Sequence, residues 1–245
     1  MAGRSVVLTP SLARDLELCP LMAKLVDIDK VVTRPPSAAF SLGISMHAAL
    51  ASFFRDGGPS RLTAEDLVER LHRCWVEAGF SSAQERAACL AEGEYQCRRF
   101  HEAWSAEDAT FLEAEAYVEG RFEGRGFDLV LRGRIDALFE RPDGVLEAVD
   151  FKTGTPRDEQ IVGDDVGVPI YWVLARRSHP SYARVLVSFY YLRSGERLVA
   201  RPVIGGAASG KERLLALAQR LLNGPFDPTP GVACRWCPAT AHCPT

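Results

Sequence analysis

Two aspartates and a lysine near the middle of the chain have the types and spacing to do chemistry. Asp136 ends the run Gly-Arg-Ile-Asp at 133–136, and Asp150 and Lys152 open the run Asp-Phe-Lys-Thr-Gly at 150–154. Between them, Pro142, Asp143 and Gly144 are a turn signal flanked by strand-like sequence, which predicts two β-strands joined by a tight turn. From Leu129 to Phe139 the side chains alternate: Leu129, Leu131, Gly133, Ile135 and Ala137 take one face, and Val130, Arg132, Arg134 and Asp136 take the other. The second strand, Val145 to Lys152, is apolar until its end, where Asp150 and Lys152 share a face. A carboxylate from each of two adjacent strands, with a lysine beside the second, can hold a hard divalent cation and set an ammonium where an attacking water or a scissile phosphate must lie. Asp-x-Lys alone is weak, because strand-end carboxylates are usually solvated. Lysine is scarce here, however, at Lys24, Lys30, Lys152 and Lys211 among 29 basic residues, so its presence at 152 carries information.

The combination adds more than its parts. Gly-Arg-Ile-Asp followed, fourteen residues after its aspartate, by Asp-Phe-Lys-Thr-Gly resembles the PD-(D/E)XK nuclease core, in particular its RecB-like branch. The resemblance implies that Asp136, Asp150 and the backbone carbonyl of Phe151 bind Mg2+ or Mn2+ and that Lys152 is catalytic. It extends to Gly43-x-x-x-His47, which in that branch supplies a metal-binding imidazole. By periodicity alone, His47 falls with Ile44, Ala51 and Phe54 on the apolar face of a helix predicted from about Ser41 to Phe54, where a histidine is more often a packed core residue. The same branch carries Gln-x-x-x-Tyr on the helix after the lysine. Here Tyr171 is in place, implied to support the site, but Gly167 stands where the glutamine is expected. Arg132 and Arg134 share the face of Asp136 and would put positive charge where a phosphodiester backbone has to lie.

A second constellation lies in the tail, where Cys234, Cys237 and Cys243 form C-x2-C-x5-C. Cys19, followed at once by Pro20, comes near the end of a helix predicted over Thr9 to Leu25. Spacing alone leaves zinc, with His242 as a fourth ligand, and a 4Fe-4S cluster equally open. One N-terminal cysteine plus C-x2-C-x5-C resembles the Cas-four exonucleases of CRISPR adaptation and the nuclease domains of AddB-type repair enzymes. This implies a 4Fe-4S cluster on Cys19, Cys234, Cys237 and Cys243, which would staple the first helix to the tail. Cys74, Cys89 and Cys97 lack ligand spacing and read as packing thiols.

The elements that must position these residues fit one α/β domain over 1–245. The expected architecture is a mixed central sheet of about five strands flanked by helices, restriction-endonuclease-like, with a nuclease core at about 111–204, a helical insert at about 60–105 and a cluster-binding region joining the termini. A strand from Phe111 to Phe122 carries Glu113 and Glu115 on one face, either facing the metal site or solvent, and turns at 123–126. After Lys152 come a polar loop to Gly163, a helix from Asp164 or Asp165 to Arg177, a hairpin of Arg184–Leu192 with Glu196–Ile204, and a helix from Gly210 to Leu222. Tyr95, Phe100 and Trp104 form a helical stripe that suits either a core or base stacking.

With 245 residues, 47% hydrophobic and 25% charged, the chain can bury a large core. A formal net charge of −3 decides little about nucleic acid, because a metal-dependent nuclease site is itself acidic. No apolar run approaches a membrane span and no signal peptide is visible. With seven cysteines, this points to the cytoplasm and to free or metal-bound thiols. The expected function is metal-dependent hydrolysis of DNA, from an end of single-stranded DNA, with a helicase, recombination or CRISPR-adaptation partner or in phage DNA metabolism. A non-catalytic iron-sulfur nucleic-acid-binding subunit and a zinc-stapled interaction module are the alternatives.

Overall fold

The computed structural model describes residues 4–123, 126–158, 162–200 and 206–244, with side chains left aside at 206–209. Its frame is a six-stranded mixed sheet made of β1 (Arg4–Leu8), β2 (Thr110–Glu123), β3 (Phe127–Glu140), β4 (Val145–Lys152), β5 (Arg184–Tyr191) and β6 (Glu196–Val199). β2 pairs antiparallel with β3 along most of its length. The other edge of β3 is divided: β1 pairs parallel with Phe127–Leu131, and β4 pairs antiparallel with Ala137–Glu140. β5 runs parallel to β4, and β6 closes the sheet antiparallel to β5. The predicted 142–144 turn forms, with Gly144 at φ 71° and its amide bonded to Arg141 O at 2.8 Å.

The helices are α1 (Pro10–Leu18), α2 (Pro20–Ala23), α3 (Ala38–Arg55), α4 (Ala64–Arg73), α5 (Ala83–Trp104), α6 (Gly167–Ser178) and α7 (Gly206–Asn223), and a π-helical turn, Lys24–Ile28, follows α2. One sheet face packs on α1, α6 and α7 through Leu16, Leu131, Ile135, Ile170, Leu174 and Leu217. The other packs on α3, α4 and α5 through Met46, Phe53, Phe54, Leu67, Phe100 and Trp104. No helix among the described residues is long and apolar enough to cross a membrane.

Several expectations change. The helix expected over Thr9–Leu25 breaks at Cys19, whose φ of −163° and ψ of 107° are extended, because the ring of Pro20 disfavours helical backbone in the residue before it. β1 brings the sheet to six strands; five residues near an end carry too little periodicity to announce themselves. α3 begins at Ala38, capped by Ser37 Oγ on the Phe40 amide. α6 begins at Gly167 because Asp165 is spent outside it, accepting the Gly167 amide at 2.7 Å. Among the described residues, α4 and α5 within the stretch at about 60–105 supply six of the 18 buried residues of one core. Phe100 and Trp104 are buried there and cannot stack on bases, while Tyr95 is exposed. Cys97 is buried in the same core, in keeping with a packing thiol. Parts of the turn at 123–126, of the 153–163 loop and of the strand expected to reach Ile204 lie outside the described residues.

Phe54 is the centre of that second core. Its ring contacts those of Phe53, Phe100, Trp104, Phe111, Phe139 and Phe151, and so ties α3 to α5, β2, β3 and β4. Phe54→Ala is expected to destabilise the fold by about 3–5 kcal/mol, the usual cost of deleting a buried phenyl ring, as measured by urea unfolding.

Candidate active site

Register brings the acidic residues into one row. The β2–β3 pairs Ala114↔Ala137 and Ala116↔Ile135 set Glu115 opposite Asp136. The β3–β4 pair Ala137↔Val149, carried one residue further, sets Asp136 opposite Asp150. At that point β3 and β4 are joined by a side chain, because the Phe151 amide donates to Asp136 Oδ2 at 2.8 Å. Glu115 has φ 56°, a left-handed conformation that costs a non-glycine residue on the order of 1–3 kcal/mol, and such strain concentrates at functional sites.

His47 reaches this row from α3, with Nδ1 3.3 Å from Asp136 Oδ1. His47, Glu115 and Asp136 can each offer one ligand atom, all within 4.8 Å of one another, the one such grouping among the described residues. Two carboxylates and one imidazole suit a small divalent cation. Asp150 lies beside the triad, with Oδ2 engaged by Lys152 Nζ at 2.7 Å and by Arg14 NH2 at 3.7 Å. Arg14, from α1, is clamped by Asp165 through Nε at 2.8 and 2.9 Å, and its guanidinium stands 5.8 Å from the centre of the buried Tyr171 ring. A Cβ on residue 167 would fall 2.6 Å from Arg14 NH2, so the space that a side chain at Gly167 would need is filled by this guanidinium.

The site lies at the floor of an open cavity of about 730 Å3, lined by Phe40, Ile44, His47, Arg55, Glu115, Arg134 and Asp136 among others. Phe40 and Ile44 are 61% and 42% exposed, so the apolar face of α3 that carries His47 borders the cavity at this end instead of entering the core. Arg134 is exposed and bonds Glu115 at 3.0 Å, and Arg132 bonds Glu119 at 2.8 Å; of the two, only Arg134 lines the cavity.

The electrostatics are those of buried carboxylates set among an imidazole, an ammonium and a guanidinium. Burial raises the pKa of Asp136, opposed by His47 and reinforced by Asp150. Burial also works against ionised Asp150, but Lys152 and Arg14 outweigh it and hold that carboxyl low. Tyr171 is pushed well above its ordinary value by burial and by the Asp150 and Asp136 charges. For His47, burial pulls downward, yet the hydrogen bond and charge of Asp136 prevail, and the imidazole rises from 6.5 to about 9. A histidine raised on folding stabilises the native state fully below its unfolded pKa and loses that contribution as pH climbs through its folded one. Metal-free protein is therefore expected to lose on the order of 1–3 kcal/mol of stability between pH 6.5 and 9, a fall that His47→Ala flattens, as read by denaturant unfolding across that range.

Of the residues singled out in the sequence, His47, Asp136, Asp150, Lys152 and Tyr171 converge here, together with the Phe151 backbone. Glu115 joins them and Glu113 does not enter the triad. Arg14 had no signal in the sequence, because a lone arginine on an amphipathic helix looks like any solvated charge. The cysteines form no grouping of three or more within 4.8 Å among the described residues, so no cluster-binding region is identified. The tail nevertheless meets α1's end, where the Thr229 amide donates to Cys19 Sγ at 3.4 Å.

No curated protein matches the chain. Among solved structures, a proposed exonuclease from Eubacterium rectale aligns with a TM-score of 0.54 at 13% identity, covering 94% of this chain and 86% of that one, which speaks for the fold. The crystal structure of SSO0001 aligns at a TM-score of 0.45 and 13% identity over 97% of this chain and 85% of that one. The family model of the PD-(D/E)XK nuclease superfamily matches residues 7–244, nearly the whole chain. The strand-borne Asp136, Asp150 and Lys152 thus sit within a match that spans the sheet and its helices, and the chain belongs to the PD-(D/E)XK nuclease superfamily.

Proposed function

We propose that this chain hydrolyses phosphodiester bonds of DNA, working from the ends of single strands. The observation that carries the reading is the row of Glu115, Asp136 and Asp150 on three neighbouring strands, with His47 and Lys152 beside it, where His47, Glu115 and Asp136 line an open cavity. The hard oxygen donors and single imidazole fit Mg2+ or Mn2+, held by His47, Asp136, Glu115 and Asp150 with the Phe151 carbonyl close by. A bound divalent ion would supply a more acidic water and charge neutralisation at the phosphate. Lys152, released from Asp150, would orient the attacking water and stabilise charge on the phosphoryl oxygens. Tyr171 would support this shell from behind Asp150.

The single-strand preference is supported by Phe40 and Ile44, an exposed apolar wall on which unpaired bases can stack, while Arg134 and Arg132 can follow the backbone. A 4Fe-4S cluster on Cys19, Cys234, Cys237 and Cys243 belongs to this proposal. It is supported by the spacing of the three tail cysteines and by the contact of the tail with Cys19. Its use would be to fasten the tail to α1, in a cytoplasmic protein acting with a helicase, recombination or CRISPR-adaptation partner.

The test is degradation of end-labelled single-stranded DNA with Mg2+ or Mn2+ by anaerobically purified protein, alongside Asp150→Ala. Loss of cleavage in the variant with DNA binding retained is expected, and the label pattern gives polarity. A wild-type protein that binds DNA yet never cuts with either ion would overturn the hydrolytic reading. Iron and acid-labile sulfide analysis of the same preparation tests the cluster, which Cys234→Ala is expected to lose.

A further inference from the structure

The outer helix α1 contributes a residue to the site that neither motif nor family assignment supplies. Arg14 reaches inward between Asp165 and Asp150. Its Nε is held by both oxygens of Asp165 at 2.8 and 2.9 Å, and its NH2 is buried without a hydrogen-bond partner, 3.7 Å from Asp150 Oδ2. Lys152 bonds that same oxygen. With two cations on Oδ2, Oδ1 is the oxygen of Asp150 that can turn toward an incoming cation. The two cations are not equivalent. Lys152 is one-third exposed, whereas Arg14 is held at its Nε, whose single hydrogen is shared between both oxygens of Asp165, and is flanked by the Tyr171 ring. Asp165 also accepts the Gly167 amide at 2.7 Å, so the loop that starts α6 and the clamp on Arg14 are one structure.

Room for the guanidinium depends on residue 167. A Cβ there would lie 2.6 Å from Arg14 NH2, 2.8 Å from Asp165 Oδ1 and 2.9 Å from Arg14 Cζ, distances that real Cβ atoms do not adopt, so a side chain at 167 must displace the Arg14–Asp165 clamp that holds the guanidinium beside Asp150.

We infer that Arg14 is a positioning residue of the hydrolytic site, orienting Asp150 through its Oδ2, and that Gly167 is required because it leaves the space this guanidinium fills. This rests on the nuclease reading above. It predicts a specific interdependence: Gly167→Ala moves both Asp165 and the guanidinium it clamps, and the part of that shift that reaches Asp150 passes through Arg14.

The experiment is a double-mutant cycle on the full chain with wild type, Arg14→Ala, Gly167→Ala and the double variant, each checked for folding by thermal melt. Two readouts are taken: kcat and KM on end-labelled single-stranded DNA with Mn2+, and the Mn2+ dissociation constant from direct titration, which needs no turnover. Arg14→Ala is expected to lower kcat at least about tenfold with KM within about twofold and to weaken Mn2+ at least about threefold, the range of a residue that orients a metal ligand. Gly167→Ala should match it, and the double variant should be no worse than Arg14→Ala alone. Arg14→Lys guards against an unfolded alanine variant: it keeps a charge near Asp165 but lacks the fork, and is expected to be folded and slow.

Additive losses, an unchanged kcat, or tighter Mn2+ binding in Arg14→Ala would each overturn the inference, the last by showing a competing charge only. A loss confined to KM would make Arg14 a DNA contact and overturn it too. Wild type that does not cut, but shows the coupled Mn2+ effect, would remove the nuclease reading and keep Arg14 in its positioning role. Wild type that neither cuts nor binds Mn2+ overturns both.

Discussion

Asp136→Asn is expected to lower Mn2+-dependent cleavage of single-stranded DNA by about 10^3-fold or more, equivalent to about 4 kcal/mol of transition-state stabilisation. Asparagine keeps the shape, so an amide in place of the carboxylate isolates charge and lone pairs from packing. Asp136 is the common member of the site: it faces His47 Nδ1 at 3.3 Å, receives the Phe151 amide at 2.8 Å and stands in register between Glu115 and Asp150. The neutral variant gives up its negative charge at the centre of the triad, and His47 loses the partner that raised it. Three consequences can be measured together. Mn2+ affinity falls steeply, the imidazole titrates closer to its ordinary value by NMR, and the metal-free fold keeps its stability or gains some above about pH 9, where the His47 contribution has already gone. The last follows because burial and the Asp150 charge raise Asp136's pKa, which means that its ionised form costs folding energy once His47 is neutral. A structural aspartate would behave oppositely, with Asn lowering stability and leaving Mn2+ binding in place. That pattern would remove Asp136 from the site.

Why some of this was legible in sequence and some was not follows from range. Asp136, Asp150 and Lys152 sit on adjacent strands joined by the four residues 141–144, so period-two alternation and the 142–144 turn suffice to place them side by side. His47 is 89 residues away from Asp136 in the chain, and only its resemblance to a known pattern connected them, since periodicity placed it on an apolar face. Periodicity was also right in a limited sense: that face is apolar, but its Phe40–Ile44 end borders the cavity. Glu115 could not be told from Glu113 because both point the same way in an ideal strand. The departure from an ideal strand, a bulge between Phe111 and Glu113 and a left-handed Glu115, decides between them, and neither residue is a glycine to give it away. Arg14 and Gly167 meet only once α1 has packed against α6, a contact between segments about 150 residues apart for which no local pattern exists. The broken first helix was legible in principle, for Cys19-Pro20 states it in the sequence.

Lys152→Met is expected to lower kcat by about 10^2–10^3-fold while leaving Mn2+ and DNA binding close to wild type, the range seen when one preorganised donor to a transition state is removed. Methionine preserves most of the unbranched stem, which in the native chain carries Nζ 5.2 Å from the Phe189 ring centre. Only the ammonium is lost. In the free protein that ammonium rests on Asp150 Oδ2 at 2.7 Å, a contact that a bound cation would compete with and release toward substrate. Two arguments predict retained Mn2+ affinity. Removing a positive charge beside a metal-binding carboxylate favours a cation, and Asp150 keeps its second anchor on the same oxygen through Arg14. A kcat defect with intact ligand binding therefore separates Lys152 from Asp136, whose loss must weaken both. Lys152→Arg is not expected to restore the rate, because a planar fork cannot replace a compact, mobile ammonium at the edge of a site already holding one guanidinium. If Lys152→Met instead weakens Mn2+ as strongly as Asp136→Asn, the lysine is a structural counter-ion of Asp150 and its assignment to the chemical step is wrong.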